Sequence, residues 1–105
     1  MFGWLFGSTY NKISTMELKQ TYLKDKKEKF FLDVRTPGEF KGRSISGFKN
    51  ISLQTLSGKL SQIPKNKEIV VICQSGGRSA MACRMLKKAG YDRVTNVKGG
   101  MSAWR

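Results

Sequence analysis

Ile69-Val70-Val71-Ile72 runs directly into Cys73-Gln74-Ser75-Gly76-Gly77-Arg78-Ser79, and that loop into Ala80-Met81-Ala82-Cys83-Arg84-Met85-Leu86. A short, unbroken apolar run bounded by polar residues fits a strand buried on both faces, as in the interior of a parallel sheet. The residues beyond the loop carry apolar side chains at helical spacing as far as Gly90, which ends a helix predicted over 79–89. In sheets built from such strand–loop–helix units, ligands bind beyond the carboxyl ends of the strands. Cys73 stands at such an end.

A thiol is a weak nucleophile until it ionises. The start of a helix presents unpaired N–H groups and about half a positive charge, and both favour a thiolate. Gly76 and Gly77 let consecutive N–H groups turn inward as an anion-binding nest, and Arg78 adds a permanent cation. Surroundings of this kind lower a cysteine pKa from about 8.5 to about 3.5–7.5. Cys73 is therefore the candidate nucleophile, with Gln74, Ser75, Gly76, Gly77, Arg78 and Ser79 as its oxyanion-binding loop. Ser75 and Ser79 offer hydroxyl donors, and Ser79 equally fits a helix N-cap. The competing reading is a buried strand-end cysteine followed by an ordinary cap.

The same alternation continues on either side. Ser14 or Thr15 caps a short helix through Met16, Leu18 and Leu23, and the lysine-rich segment 24–29 reads as an exposed turn. Phe30-Phe31-Leu32-Asp33-Val34 is a second buried strand whose end presents Asp33. Thr36-Pro37-Gly38-Glu39-Phe40 opens a turn or short helix, and another short strand falls near Asn50-Ile51. Leu53, Leu56, Leu60 and Ile63 recur at helical spacing before Pro64, which predicts a core-facing helix. Glu68 to Ile72 and Asp92 to Val97 complete the strands. The pattern is that of a single α/β domain with a mostly parallel central sheet flanked by helices.

Composition sets limits. At 105 residues the chain holds one domain, read as 14–105 behind an apolar N-terminal extension over 1–13. Histidine is absent, so no Cys–His or Ser–His pair exists, and Cys73 and Cys83 are too few for a structural zinc site; neither metal nor cofactor is expected. Two cysteines without a signal peptide fit a reducing, cytoplasmic setting. Cys83, among Ala82, Met85 and Leu86, reads as core and not as a resolving thiol. The net charge of +13 is spread along the chain, which attracts anionic partners, but no nucleic-acid-binding motif accompanies it. Met1-Phe2-Gly3-Trp4-Leu5-Phe6-Gly7 is far short of the roughly 20 apolar residues of a membrane span; packing on the domain or simple disorder is the primary reading, a shallow membrane contact the secondary one.

The sequence resembles the single-domain rhodaneses from about Ser14 to Arg105. The resemblance rests on Asp33-Val34-Arg35, on Glu39-Phe40 followed by Ile45, Gly47 and Asn50-Ile51, on the loop Cys73 to Ser79, and on Val97-Lys98-Gly99-Gly100 with Trp104. It implies a sulfurtransferase in which Cys73 takes a sulfane sulfur from a donor such as thiosulfate, becomes a persulfide, and passes the sulfur to cyanide or a thiol. Asp33 and Arg35 would support the loop from the neighbouring strand end, with Arg35 alternatively greeting the anionic donor, and Trp104 would anchor the C-terminus. Arg43-Ser44 replaces the Gly-His pair common in the family, and Phe48 stands where a small alanine often follows the glycine.

Two rival functions remain on sequence grounds. A cysteine phosphatase or arsenate reductase also sets a thiolate and an arginine around an oxyanion, but here only Gln74 to Gly77 separate Cys73 from Arg78, one residue fewer than in protein tyrosine phosphatases. The tighter nest matches a sulfur atom better than a phosphate. A persulfide relay module, serving a protein partner in cofactor or tRNA thiolation, would use the same loop.

Overall fold

The computed structural model describes residues 9–105. Five parallel strands lie in the order β1-β5-β4-β2-β3, where β1 is Asn11–Ile13, β2 Lys29–Asp33, β3 Lys49–Asn50, β4 Glu68–Ile72 and β5 Val94–Val97. The helices are α1 Thr15–Gln20, α2 Pro37–Gly42, α3 Gly77–Lys88 and α4 Gly100–Ala103, with 3-10 segments at Tyr22–Lys24 and Leu53–Gln62. This is the predicted α/β architecture.

The central strands are apolar throughout because both faces are covered. Ile69, Val71 and Cys73 face a core made with Leu56, Ile63, Ala82, Cys83, Leu86 and Tyr91, while Val70 and Ile72 face Leu18, Phe31, Phe48 and Met101 on the other side. β4 lies between β2 and β5, with Asp33 in register with Ile72. The ends of β2 and β4 therefore stop side by side, and Asp33 arrives next to the Cys73 loop.

Three boundaries differ from the sequence reading. Asn11–Ile13, counted there with the N-terminal extension, form the edge strand β1: Ile13 pairs with Val97 and is buried, and Ser14 then caps α1 by accepting from the Glu17 N–H at 3.0 Å. Met1 to Gly7 lie outside the described residues. Leu53–Gln62 is a 3-10 segment with non-helical geometry at Lys59, just past Ser57-Gly58; the spacing of Leu56 and Ile63 buries both without a continuous α-helix. The third difference is at α3, which begins at Gly77 and not at Ser79. No helix among the described residues is long and apolar enough to cross a membrane.

Candidate functional site

The early start of α3 follows from Gly76, which takes φ 112 as the residue before the helix, a left-handed conformation that a side chain would strain. Ser79 is therefore inside the first turn, fully buried, and does not cap the helix. Its hydroxyl reaches back into the loop. Oγ lies 3.2 Å from Cys73 Sγ and donates to the Gly76 carbonyl at 3.1 Å. The Gly76 N–H donates to Sγ at 3.0 Å. Cys73 is 1% exposed.

Burial by itself pushes the Cys73 thiol up, since it disfavours the charged form. Hydrogen bonding with the Ser79 side chain and with the N–H groups of Ser79, Gly76 and Ser75 outweighs it, and the pKa falls below the ordinary thiol value. Ser75 and Gly77 are exposed on the loop's outer side. The Gln74 side chain turns away from Sγ: Oε1 accepts from Arg35 Nη1 at 3.4 Å and Nε2 donates to Ser102 Oγ at 3.2 Å.

The guanidinium of Arg78 is turned onto Glu39 of α2, Nη1 to Oε1 at 2.8 Å and Nη2 to Oε2 at 2.9 Å. It is not a free cation in the nest. The Arg78 hydrogen bonds hold the Glu39 carboxyl at about 2, well below the usual carboxylate range, and the Thr36 N–H assists through a capping box in which Glu39 N also donates to Thr36 Oγ1. With the carboxyl depressed in the folded state, the pair is fully present above about pH 4.5 and is lost as pH falls towards about 2. Both side chains are about one third exposed, 38% and 34%, so the pair is worth at most about 1 kcal/mol of stability.

Asp33 and Arg35 form a buried ion pair. Arg35 Nε and Nη2 donate to the Asp33 carboxylate at 3.0 and 2.8 Å, its N–H donates to Oδ1 at 3.0 Å, and Nη2 also reaches the Arg43 carbonyl. Asn50 Nδ2 bonds the Asp33 and Arg35 carbonyls at 3.0 and 2.8 Å. Side-chain exposures of 3% for Arg35 and 0% for Asp33 commit this guanidinium to the protein. A buried pair of this kind contributes fixed geometry more than net stability.

The closing glycines are explained by backbone contact. Gly99 and Gly100 have φ 78 and 56, and they deliver the first amides of α4 to the loop: Met101 N–H donates to the Cys73 carbonyl and Ser102 N–H to that of Gln74, both at 2.8 Å. Arg43, the first residue of the Arg43-Ser44 pair, spans to the same turn through the Met101 and Trp104 carbonyls at 3.2 and 2.8 Å. Trp104 packs half-buried against the core, and Phe48 meets Phe31 with ring centroids 5.2 Å apart. Glu39, Arg43 and Ser102 support the loop without showing that role in the sequence; of these only Glu39 carries a local signal, the Thr36-x-x-Glu39 capping pattern.

Cys83 is fully buried on α3, and burial pushes its thiol up to about 12. Cys83→Ala is expected to cost about 1–2 kcal/mol in denaturant unfolding, and an unchanged stability would show that this side chain does not fill the core.

Fold and loop together define a parallel α/β domain with a buried thiol ringed by N–H donors at a strand end. The sequence signature of the rhodanese-like domain matches residues 15–105, and the chain belongs to that family. It is 36% identical over 94 residues to a sulfurtransferase of Allochromatium vinosum, covering 90% of this chain and 87% of that protein. It is 41% identical over 73 residues to a putative sulfur carrier protein, YrkF, of Bacillus subtilis; that match covers 70% of this chain and 40% of the relative. The crystal structure of a rhodanese-like domain protein from Staphylococcus aureus superposes with a TM-score of 0.82 at 35% identity, covering 90% of this chain and 91% of that one.

Proposed function

We propose that the chain is a sulfurtransferase that carries sulfane sulfur as a persulfide on Cys73. The observation that carries this reading is the set of backbone N–H groups of Gly76, Ser75 and Ser79 around Cys73 Sγ, with the Ser79 hydroxyl 3.2 Å away accepting the S–H. The thiolate attacks the outer sulfur of a donor such as thiosulfate. The Sγ–S bond forms, the donor's S–S bond breaks, and the electron pair leaves on sulfite. Attack on the terminal sulfur by cyanide or a thiol then returns the thiolate. Charge stays near the loop in both steps, where fixed N–H groups stabilise it without reorganising. With Cys73 only 1% exposed, a small terminal sulfur is a better fit than a bulky group.

A persulfide relay to a protein acceptor is the second reading, favoured by the likeness to a putative sulfur carrier protein. The half-reactions test both: protein incubated with thiosulfate and then desalted should release thiocyanate stoichiometrically on addition of cyanide. No thiocyanate from desalted protein would rule out a covalent sulfur intermediate. Stoichiometric release with very slow steady-state turnover on cyanide, together with fast discharge to a protein thiol, is the relay's signature.

The Glu39 clamp makes a further expectation. Glu39→Gln removes the countercharge of Arg78 while keeping its size, which frees the guanidinium to attract an anionic donor. KM for thiosulfate should fall, by about fivefold at most at low salt, with little change in kcat. An unchanged or higher KM would show that Arg78 serves only to tie the loop to α2.

A further inference from the structure

The Ser79 hydroxyl carries one proton and has two neighbours that can take it. In the arrangement seen, Oγ gives its proton to the Gly76 carbonyl at 3.1 Å and accepts the Cys73 S–H at 3.2 Å. Ionisation makes that arrangement untenable, because a thiolate has no proton to give and a serine lone pair would face its negative charge. Rotation about the Cβ–Oγ bond turns the hydroxyl proton onto Sγ. The Gly76 carbonyl is not stranded by the change, since the Ala80 N–H also donates to it at 3.1 Å. Ser79 is fully buried, so bulk water does not compete for either position.

We propose that the Ser79 hydroxyl is a two-position hydrogen-bond switch, set on the Gly76 carbonyl while Cys73 is a thiol or a persulfide and on Sγ while it is a thiolate. The persulfide half of this statement rests on the sulfur-transfer reading. Once the outer sulfur is bound, the negative charge sits on that terminal atom, and Sγ, bonded to carbon and sulfur, is neutral. Ser79 thus stabilises the empty state over the loaded one. It helps the thiolate form for attack and helps it leave when the acceptor takes the sulfur.

Other titratable and charged groups lie around the loop. Cys83, one turn along α3, stays protonated with its thiol pushed up by burial to about 12. Arg78 is paired with Glu39, and Arg35 with Asp33.

The test uses the full chain with Ser79→Ala and the isosteric pair Ser79→Thr and Ser79→Val, which differ only in the hydroxyl. The rate of Cys73 alkylation by iodoacetamide, followed by peptide mass across pH, reads the ionisation. Ser79→Ala and Ser79→Val should raise the apparent pKa by about one unit or more, seen as roughly tenfold slower alkylation below it, and Ser79→Thr should restore the lower value. Above the ionisation, at a fixed ratio of thiosulfate to sulfite, Ser79→Ala should move Cys73 towards the persulfide by about the same tenfold factor. An unchanged ionisation in Ser79→Ala, or a threonine variant that behaves like valine, would overturn the switch. So would a persulfide fraction that falls, which is the mark of general damage to the loop. If the wild-type chain takes up no sulfur, the sulfur-transfer reading fails, while the alkylation series still decides the role of Ser79.

Discussion

Cys73→Ser is expected to reduce thiosulfate-to-cyanide transfer by at least about three orders of magnitude, the scale on which a covalent nucleophile's removal is felt. The reason is the size of what the loop supplies. Its hydrogen bonds pull a thiol below its ordinary pKa against the opposing cost of burial. A hydroxyl ionises many units higher, and the same donors cannot bring it into range. Serine is close to cysteine in shape, and Cys73 contributes no disulfide, so the variant should keep its fold by circular dichroism. A variant that transfers sulfur at more than about a tenth of the wild-type rate would place the chemistry elsewhere.

Gly100→Ala should be the most damaging glycine-to-alanine change among the described residues. A Cβ at Gly100 would lie 2.3 Å from the Cys73 carbonyl oxygen and 2.7 Å from that of Gln74, and the residue sits at φ 56. Neither obstacle is a flexible side chain. Both carbonyls are accepting hydrogen bonds from α4, at 2.8 Å from Met101 and Ser102, so the methyl must drive α4 away from the loop and break the contacts that hold it. Backbone strain, two lost hydrogen bonds and a displaced helix together predict a loss of roughly 3 kcal/mol or more in denaturant unfolding, with transfer activity falling alongside. A loss under about 1 kcal/mol would mean that α4 can shift without disturbing Cys73.

How far the sequence carried this picture depended on the range of each signal. Glu68–Ile72 was legible to the residue because a strand buried on both faces needs an unbroken apolar run, and polar residues bracket this one. The start of α3 differs from the expected one for a local reason. Ser79 has the chemistry of a cap, but the left-handed turn at Gly76 lets the helix begin two residues before it, and that backbone choice leaves no trace beyond a glycine. β1 leaves little mark on the sequence, since only Ile13 of its three residues is buried, too little for a period to show. In the segment over 53–63, apolar spacing alone does not separate an α-helix from a kinked 3-10 path.

The loop's supports were the least legible part. Asp33 and Arg35 sit two residues apart and read as a pair, yet the links from Arg35 to Gln74, from Arg78 to Glu39 and from Gln74 to Ser102 join residues 28 to 39 positions apart. Nothing in local pattern encodes those. The consequence for chemistry is concrete: Arg78 enters the sequence reading as the nest's cation, and in the fold it is a strut between the loop and α2, which leaves thiolate stabilisation to backbone N–H groups and to Ser79.

The central claim is that Cys73, and no other group, holds transferable sulfur. Intact-mass measurement after incubation with thiosulfate, followed by peptide mapping and then addition of cyanide, tests it most directly. The expected result is the gain of a single sulfur atom, mapped to the peptide carrying Cys73 and lost again on cyanide treatment. No gain in mass, or a sulfur mapped to Cys83, would contradict the account.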